Sequence, residues 1–407
     1  MSKDFQKFRS AMTRPVLVLF FMSFVVPFSA FMLYPFLIIY LTHVLHYQPW
    51  EAGLLLSVRF LSSGLLGFVG GLVSARIGTM RTYVISAVIS AVSIMALAFT
   101  PGAVFLVIVL AILGLAASTV NAMARGLANE HILDEYRGVI QNYIHWLNNI
   151  GMAAALPFSA LLLGGGYSRW PYFVAASGYA LAAGALFITF RPSKPKPVAA
   201  ADNSRPSFSP WKILQYDRAF SWLLLAFALV VVVEMQFESG VPLDLSFHFV
   251  QGAKLYGVLG AIDMTLVFLL QPLVAHWVDN HPSSWFGSLA MLLLSGLVIG
   301  ALWQTVWGWT LAIICLSVGD VFAFGQIFSL VGVLPKAGQH GLYFSLLSMV
   351  QGLGTFAAYA FAGIGYNILH PLGMFLLTIP LTLFAIISYR NASRLRTVQE
   401  EAITTTG

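Results

Sequence analysis

The sequence predicts an all-α polytopic membrane protein, with twelve transmembrane helices in two pseudo-symmetric six-helix bundles. Three observations carry that reading. Hydrophobic residues make up 59% of the 407 and charged ones only 9%, and the mean hydropathy is +0.84, far outside the range of soluble domains. The apolar residues fall into runs of about 20, the length that crosses ~30 Å of hydrocarbon at 1.5 Å per residue, and short polar breaks cut the runs apart, as they would not cut one large soluble core. A single polar segment, 191–218, is longer than a tight loop and rich in Pro, Ser and Lys, the composition of a flexible linker. It divides the chain into halves 1–190 and 219–407, each with six apolar runs.

In the first half the runs are 15–41, 51–74, 82–100, 103–125, 139–163 and 170–190. The first is too long for a signal-peptide core and no small-residue cleavage site follows it. Its Phe24, Phe28, Phe31 and Tyr34, with Trp146 from the fifth run, suit an apolar cavity wall, although aromatics at helical spacing also serve plain packing. The second run carries Arg59 near its middle. In the fifth, His145, Asn148 and Asn149 follow i, i+3, i+4 spacing and form a polar stripe on one helix face. In lipid such a stripe turns inward, so these residues are expected to line a cavity, with Asn121 of the fourth run beside them.

In the second half the runs are 219–241, 254–277, 284–303, 307–333, 341–368 and 371–390. Four of them carry polar groups that hydrocarbon penalises. Glu234 and Glu238 are four apart and expected on one helix face; two carboxylates so close compete for ionisation, which suits a group that takes up and releases a proton. Asp263 lies in the eighth run and Asp320 near the middle of the tenth, where a carboxylate costs about 2.5–3.5 kcal/mol on insertion scales. Gln351, in the eleventh, matches Asn148 at an offset of about 203 residues, the offset that also pairs Gly138 with Gly341, His145 with Ser348 and Gly151 with Gly354. One residue further, Gly53 falls on Gly257 and Arg59 on Asp263. An ion pair of Arg59 with Asp263 or Glu238 would relieve a buried guanidinium. Repeats of this kind build many transporters, with the substrate site between the halves.

The net charge of +6 is a matter of topology rather than of a nucleic-acid partner. With both termini cytoplasmic, all of the 21 basic residues except Arg59, Arg169 and Lys254 fall on the inner side, as the positive-inside rule requires. Cys315, the only cysteine, sits inside a run, so neither a disulfide nor a thiolate metal cluster can form. No phosphate loop, dinucleotide fingerprint, metal-ligand cluster or nucleophile elbow occurs, which argues against an enzyme and against a cofactor or metal.

After the second run the chain reads Gly71-Leu-Val-Ser-Ala-Arg76-Ile-Gly78-Thr-Met-Arg81. This resembles the loop signature of the major facilitator superfamily, G-x-L-A-D-R-x-G-R-R/K, in Gly71, Arg76, Gly78 and Arg81, with Ala75 at the acidic position. The corresponding place in the second half, PLVAHWVDNH, keeps an acid, Asp279. In the family that carboxylate helps to latch the halves on the cytoplasmic side. Arg125, Arg137-Gly138 and Pro157 stand where the twelve-span bacterial multidrug/proton antiporters carry related residues, but the glycines around the proline are replaced. The strings MQFESGVPLDL and VGD look like segments that bear proton-coupling carboxylates in such antiporters. The resemblance implies the major facilitator fold and a monomeric, secondary active transporter of the inner membrane, surrounded by membrane lipids. It would export hydrophobic or cationic small molecules against protons by alternating access, with Glu238 and Asp320, then Glu234 and Asp263, as proton carriers. A carrier of a specific metabolite, siderophore or lipid, and a non-transporting sensor on the same scaffold, remain as alternatives.

Overall fold

The computed structural model describes residues 13–99, 102–131, 137–163, 169–189, 214–280, 284–334 and 340–406, and among these there are helices and no strand. The predicted linker lies outside the described residues as far as residue 213. Eight of the described helices are long and apolar enough to cross a membrane.

In the first half the helices are α1 (Arg14–His43), α2 (Pro49–Ile77), α3 (Thr79–Leu97), α4 (Ala103–His131), α5 (Arg137–Leu163) and α6 (Trp170–Thr189). Each answers to one apolar run. The turn between α2 and α3 needs Gly78, whose φ of 91° lies in the region that side chains disfavour. In the second half, α7 (Arg218–Glu234) and α8 (Gly240–His248) together replace the predicted seventh run. They are followed by α9 (Gly252–Asn280), α10 (Ser284–Leu294), α11 (Leu297–Trp303), α12 (Val306–Val333), α13 (His340–Leu376) and α14 (Thr378–Thr406).

Three of these boundaries depart from continuous spans, each for a local reason. Pro242 has no N–H, and in a continuous helix its ring would collide with the carbonyl four residues back, that of Glu238. Here Pro242 falls in the first turn of α8, where a missing N–H is tolerated; α7 has already ended at Glu234, and residues 235–239 turn through shorter bonds such as Phe237 N–H to the Glu234 carbonyl and Glu238 N–H to the Met235 carbonyl. The expectation that Glu234 and Glu238 share one α-helical face is corrected accordingly: Glu234 ends α7 and Glu238 lies in the turn. The ninth run breaks at Ser295-Gly296, where a side chain on Gly296 would meet Cys315 Cβ of α12 at 2.6 Å. The eleventh meets His370, pushed to φ 58° and ψ 167° ahead of Pro371, whose ring disfavours a helical predecessor. The predicted twelfth span therefore opens within the last turns of α13 and continues as α14.

The chain divides into two compact units. The first gathers what is described of Met1–Leu45, Val58–Asp202 and Tyr256–Ala261. Here α1 packs on α4, α5 and α6, and α3 packs on α4 and α6. Ser159 of α5 donates to the Met32 carbonyl of α1 at 2.7 Å, an interhelical bond that hydrocarbon favours because no water competes for it. The second unit gathers His46–Ser57, Asn203–Leu255 and Ile262–Gly407 as described. There α7 packs on α12, α13 and α14, and α10 packs on α12 and α14. Asp217 caps α7 by accepting from Phe220 N–H at 2.9 Å and ties it to α13 by accepting from Tyr343 Oη at 2.7 Å.

The internal repeat is visible in this packing. Each helix pair just named in the first unit has its counterpart, six spans later, in the second. Gly151 brings α5 against Phe24 and Phe28 of α1, and its repeat mate Gly354 brings α13 against Val231 of α7, which is Phe28 shifted by the same offset. Gly257 lies against Leu156 and Ala160 in the first unit, while Gly53 lies against Tyr359 and Gly363 in the second. Small residues at these points are what allow backbones to close up. Gly151→Leu and Gly354→Leu should each lower the thermal unfolding midpoint in detergent, by the about 1–3 kcal/mol typical of overpacking. Gly184→Ala, with nothing within 4 Å of the added methyl, should not.

Candidate functional site

Two groups of ionisable side chains lie inside the spans, one in each unit, and they are of opposite sign. In the second unit the acids come from three helices and one turn. Glu234 at the end of α7 lies within electrostatic reach of Asp320 of α12, Glu238 of the turn and Asp263 of α9. Asp263 is also within reach of Asp320. Asp263 is buried, and the other three are half-buried. The four carboxylates that the sequence marks as proton carriers thus all fall in this unit, with Glu234 in electrostatic reach of the other three.

Ser317 connects two elements at this place. Its hydroxyl is 2.7 Å from Asp263 Oδ1 and 2.7 Å from the Ile313 carbonyl oxygen. A hydroxyl has one proton and two lone pairs. If Asp263 is ionised, Ser317 must divide that proton between two acceptors. If Asp263 carries a proton, it donates to Ser317 Oγ while Ser317 donates to Ile313, and both contacts are ordinary hydrogen bonds. The geometry accommodates both protonation states without moving a heavy atom, which is what a reversible proton carrier needs.

In the first unit, Arg59 of α2 is half-buried and enclosed by aromatic rings. Its guanidinium carbon stands 3.2 Å from the centroid of the Tyr34 ring and 4.6 Å from that of Phe60. Tyr179 of α6 lies within electrostatic reach of Arg59, Tyr34 and Tyr83 of α3. Gly114 of α4 fixes the backbone here, since a side chain on it would collide with the Arg59 carbonyl and Ser62 Oγ. Gly178 does the same for α6, pressed against Ser29 of α1. Arg59 Nε and the Tyr83 hydroxyl are both buried without a hydrogen-bond partner among the described residues. Leaving such groups unmet costs about 1–3 kcal/mol each.

The remaining predicted residues are more dispersed. Asn148 and Asn149 are half-buried on α5, and Asn121 and Gln351 are exposed on α4 and α13. Arg76 and Arg81 are exposed on either side of the Gly78 turn, and Gly71 is exposed on α2. His145 and Asp279 lie within α5 and α9, but their side chains are outside those described. The aromatics of α1 divide their work: Phe24 stacks on Phe28 at 5.8 Å and Phe28 meets Phe158 at 5.6 Å, while Tyr34 serves Arg59. Tyr83 and Tyr179 escaped the sequence reading because their neighbours are brought in from distant helices. Asp244 escaped it too, yet had a local signal, a histidine four residues on. Buried in α8, it contacts His248 Nδ1 at 2.9 Å and accepts from Gln304 Nε2 at 3.1 Å.

Comparisons with known proteins agree with this architecture. The sequence profile of the Major Facilitator Superfamily matches residues 19–359. An uncharacterised MFS-type transporter of Bacillus subtilis (strain 168), YqjV, is 23% identical over 325 residues, covering 78% of each chain. Among solved structures, a POT family transporter in complex with 5-aminolevulinic acid superimposes with a TM-score of 0.72 at 16% identity, over 92% of this chain and 94% of that one. The nucleoside transporter NupG, as its D323A mutant, gives 0.74 at 15% identity, over 93% and 99%. At such identities the likeness is one of fold.

If the Tyr34 ring holds Arg59 by a cation–π contact, Tyr34→Leu should lower thermal stability in detergent by on the order of 1 kcal/mol. Tyr34→Phe, which keeps the ring, should retain most of it. An equal loss in both variants would place the effect on the hydroxyl instead.

Proposed function

We propose that this chain, which belongs to the major facilitator superfamily, is a proton-coupled secondary active transporter. Membership makes it a multi-pass membrane transporter of small molecules; the coupling and the direction are our reading. The observation that carries it is the gathering of Glu234, Glu238, Asp263 and Asp320 inside one unit, with Ser317 placed to serve Asp263 in either protonation state.

Four carboxylates at such quarters cannot all be ionised at low cost, because like charges in a low-dielectric surrounding repel strongly. Protons relieve the repulsion. So does a bound cation, and the two therefore compete. When substrate and proton exclude one another from the same carboxylates, each lowers the affinity of the other by the same factor, and a proton gradient can drive export. This logic fits hydrophobic or cationic substrates entering from the cytoplasm or inner leaflet. Halves 1–190 and 219–407, joined by 191–218, would supply the alternating access. The positive-inside distribution supports cytoplasmic termini and, for a bacterial chain, the inner membrane. We take the chain to act as a monomer, with lipids around it and no cofactor.

Arg59 favours a second reading, a carrier for a specific metabolite, siderophore or lipid. A half-buried guanidinium repels a cationic solute and suits an anionic or zwitterionic one.

In proteoliposomes with an imposed pH gradient, Asp320→Asn and Glu238→Gln should each reduce gradient-driven transport of ethidium at least tenfold. Binding of ethidium without a gradient should change less. If both variants transport at the wild-type rate, these carboxylates do not couple protons. If reversing the gradient changes neither rate nor direction of flux, proton coupling itself falls.

A further inference from the structure

We propose that Arg59, with the Tyr83 hydroxyl, forms a binding subsite for an organic monoanion, a carboxylate attached to an aromatic or apolar body. The inference rests on the chain being a transporter of small molecules but not on proton coupling. It deepens the second reading by naming the group that Arg59 would hold.

None of the three helices that bring tyrosines to this place offers the guanidinium an acid. Helices α1, α3 and α6, which supply Tyr34, Tyr83 and Tyr179, contain no Asp or Glu, and neither does any stretch of the chain between residues 52 and 129. What surrounds the cation is aromatic. Tyr34 at 3.2 Å and Phe60 at 4.6 Å cover the guanidinium through their ring faces. Stacking of this kind occupies the faces of the planar cation and leaves the edge, where its N–H donors project in a fork that matches a carboxylate. One of those donors, Nε–H, is buried and unmet among the described residues.

A second polar group points the same way. The Tyr83 hydroxyl belongs to a fully buried side chain and also lacks a partner among the described residues. Tyr179 lies within electrostatic reach of both it and Arg59. One positive charge and neutral hydroxyl donors balance one negative charge, which selects a monoanion over a phosphate dianion. The aromatic surroundings of the cation favour an apolar body. Gly114 and Gly178 let the backbones of α2 and α6 pack closely against their neighbours here.

The test is equilibrium binding to the purified full chain in detergent, by thermal-shift titration and calorimetry. The probes are 2-naphthoate, its neutral isostere 2-naphthamide, and phosphatidylglycerol as the lipid monoanion. Wild-type protein should bind naphthoate at least tenfold more tightly than naphthamide. Arg59→Gln should abolish that preference, and Arg59→Lys should restore part of it. Tyr83→Phe loses only an unmet hydroxyl, so it should fold normally and bind naphthoate at least threefold more weakly. The proposal is overturned if naphthoate does not bind, if naphthamide binds equally, or if Arg59→Gln and Tyr83→Phe leave naphthoate affinity unchanged. It is also overturned if phosphatidylglycerol alone binds through Arg59, which would make this a lipid contact. No gradient is present, so failure here leaves proton coupling standing, and failure of the flux experiment leaves this subsite standing.

Discussion

Hydrocarbon offers no hydrogen-bond partner, so every polar group inside the bilayer must be met by the protein, by a ligand or by a proton. The backbone answers with helices, and the described chain is helical apart from short turns. Where a helix must stop inside the membrane, the stop is itself hydrogen-bonded. Residues 235–239 do not open the chain; their N–H groups bond to the third or fourth residue back, three of them one residue nearer than in a regular helix. Side chains follow the same rule. Serines and threonines throughout return their hydroxyls to carbonyls one turn earlier, as Ser90 does to Ser86 and Thr382 to Thr378. Against that background, a buried group with no partner is informative, because so many others have found one.

Much of this fold is legible in the sequence because it is written in length and polarity. Runs of apolar residues give the helices α1–α6 to within a few residues, six at the end of α4, and glycines at a fixed offset mark where α5 meets α1 and α13 meets α7. The breaks are less legible. Pro242 announces that something happens near Glu238, but a proline inside a membrane helix can kink, unwind or merely bend it. Pro27, Pro35 and Pro157 all lie within unbroken helices. At the break before Pro242, Gln236 donates to the Ala358 carbonyl of α13, a contact across 122 residues that no local pattern contains.

The site divides in the same manner. Glu234, Glu238, Asp263 and Asp320 are visible individually as costly exceptions in apolar runs, and that cost is a one-body property of each residue. Their convergence is visible only in part, through the repeat that places Asp263. The surroundings of Arg59 are not visible at all. Tyr83 and Tyr179 are ordinary aromatics in apolar helices, and their relation to Arg59 depends on how α3 and α6 pack, which glycines such as Gly178 set from a distance.

Segregation of charge between the units is the deeper regularity. The described helices of the first unit present one cation inside the membrane whose Nε–H is unmet among the described residues, and the second unit presents four acids, Glu234 lying within electrostatic reach of the other three. Were either set merely structural, the economical arrangement would be an ion pair within the same bundle, because neutralising neighbours remove most of the cost of burial. Keeping like charges together instead maximises that cost in the empty, fully ionised state. It also maximises the free energy released when a proton or a counter-ion arrives. A protein that stores its charges this way is poised to bind, and the strength of each binding event depends on whether the other sites are filled. On the reading proposed above, that dependence is the thermodynamic content of coupling, whichever solute the charges serve.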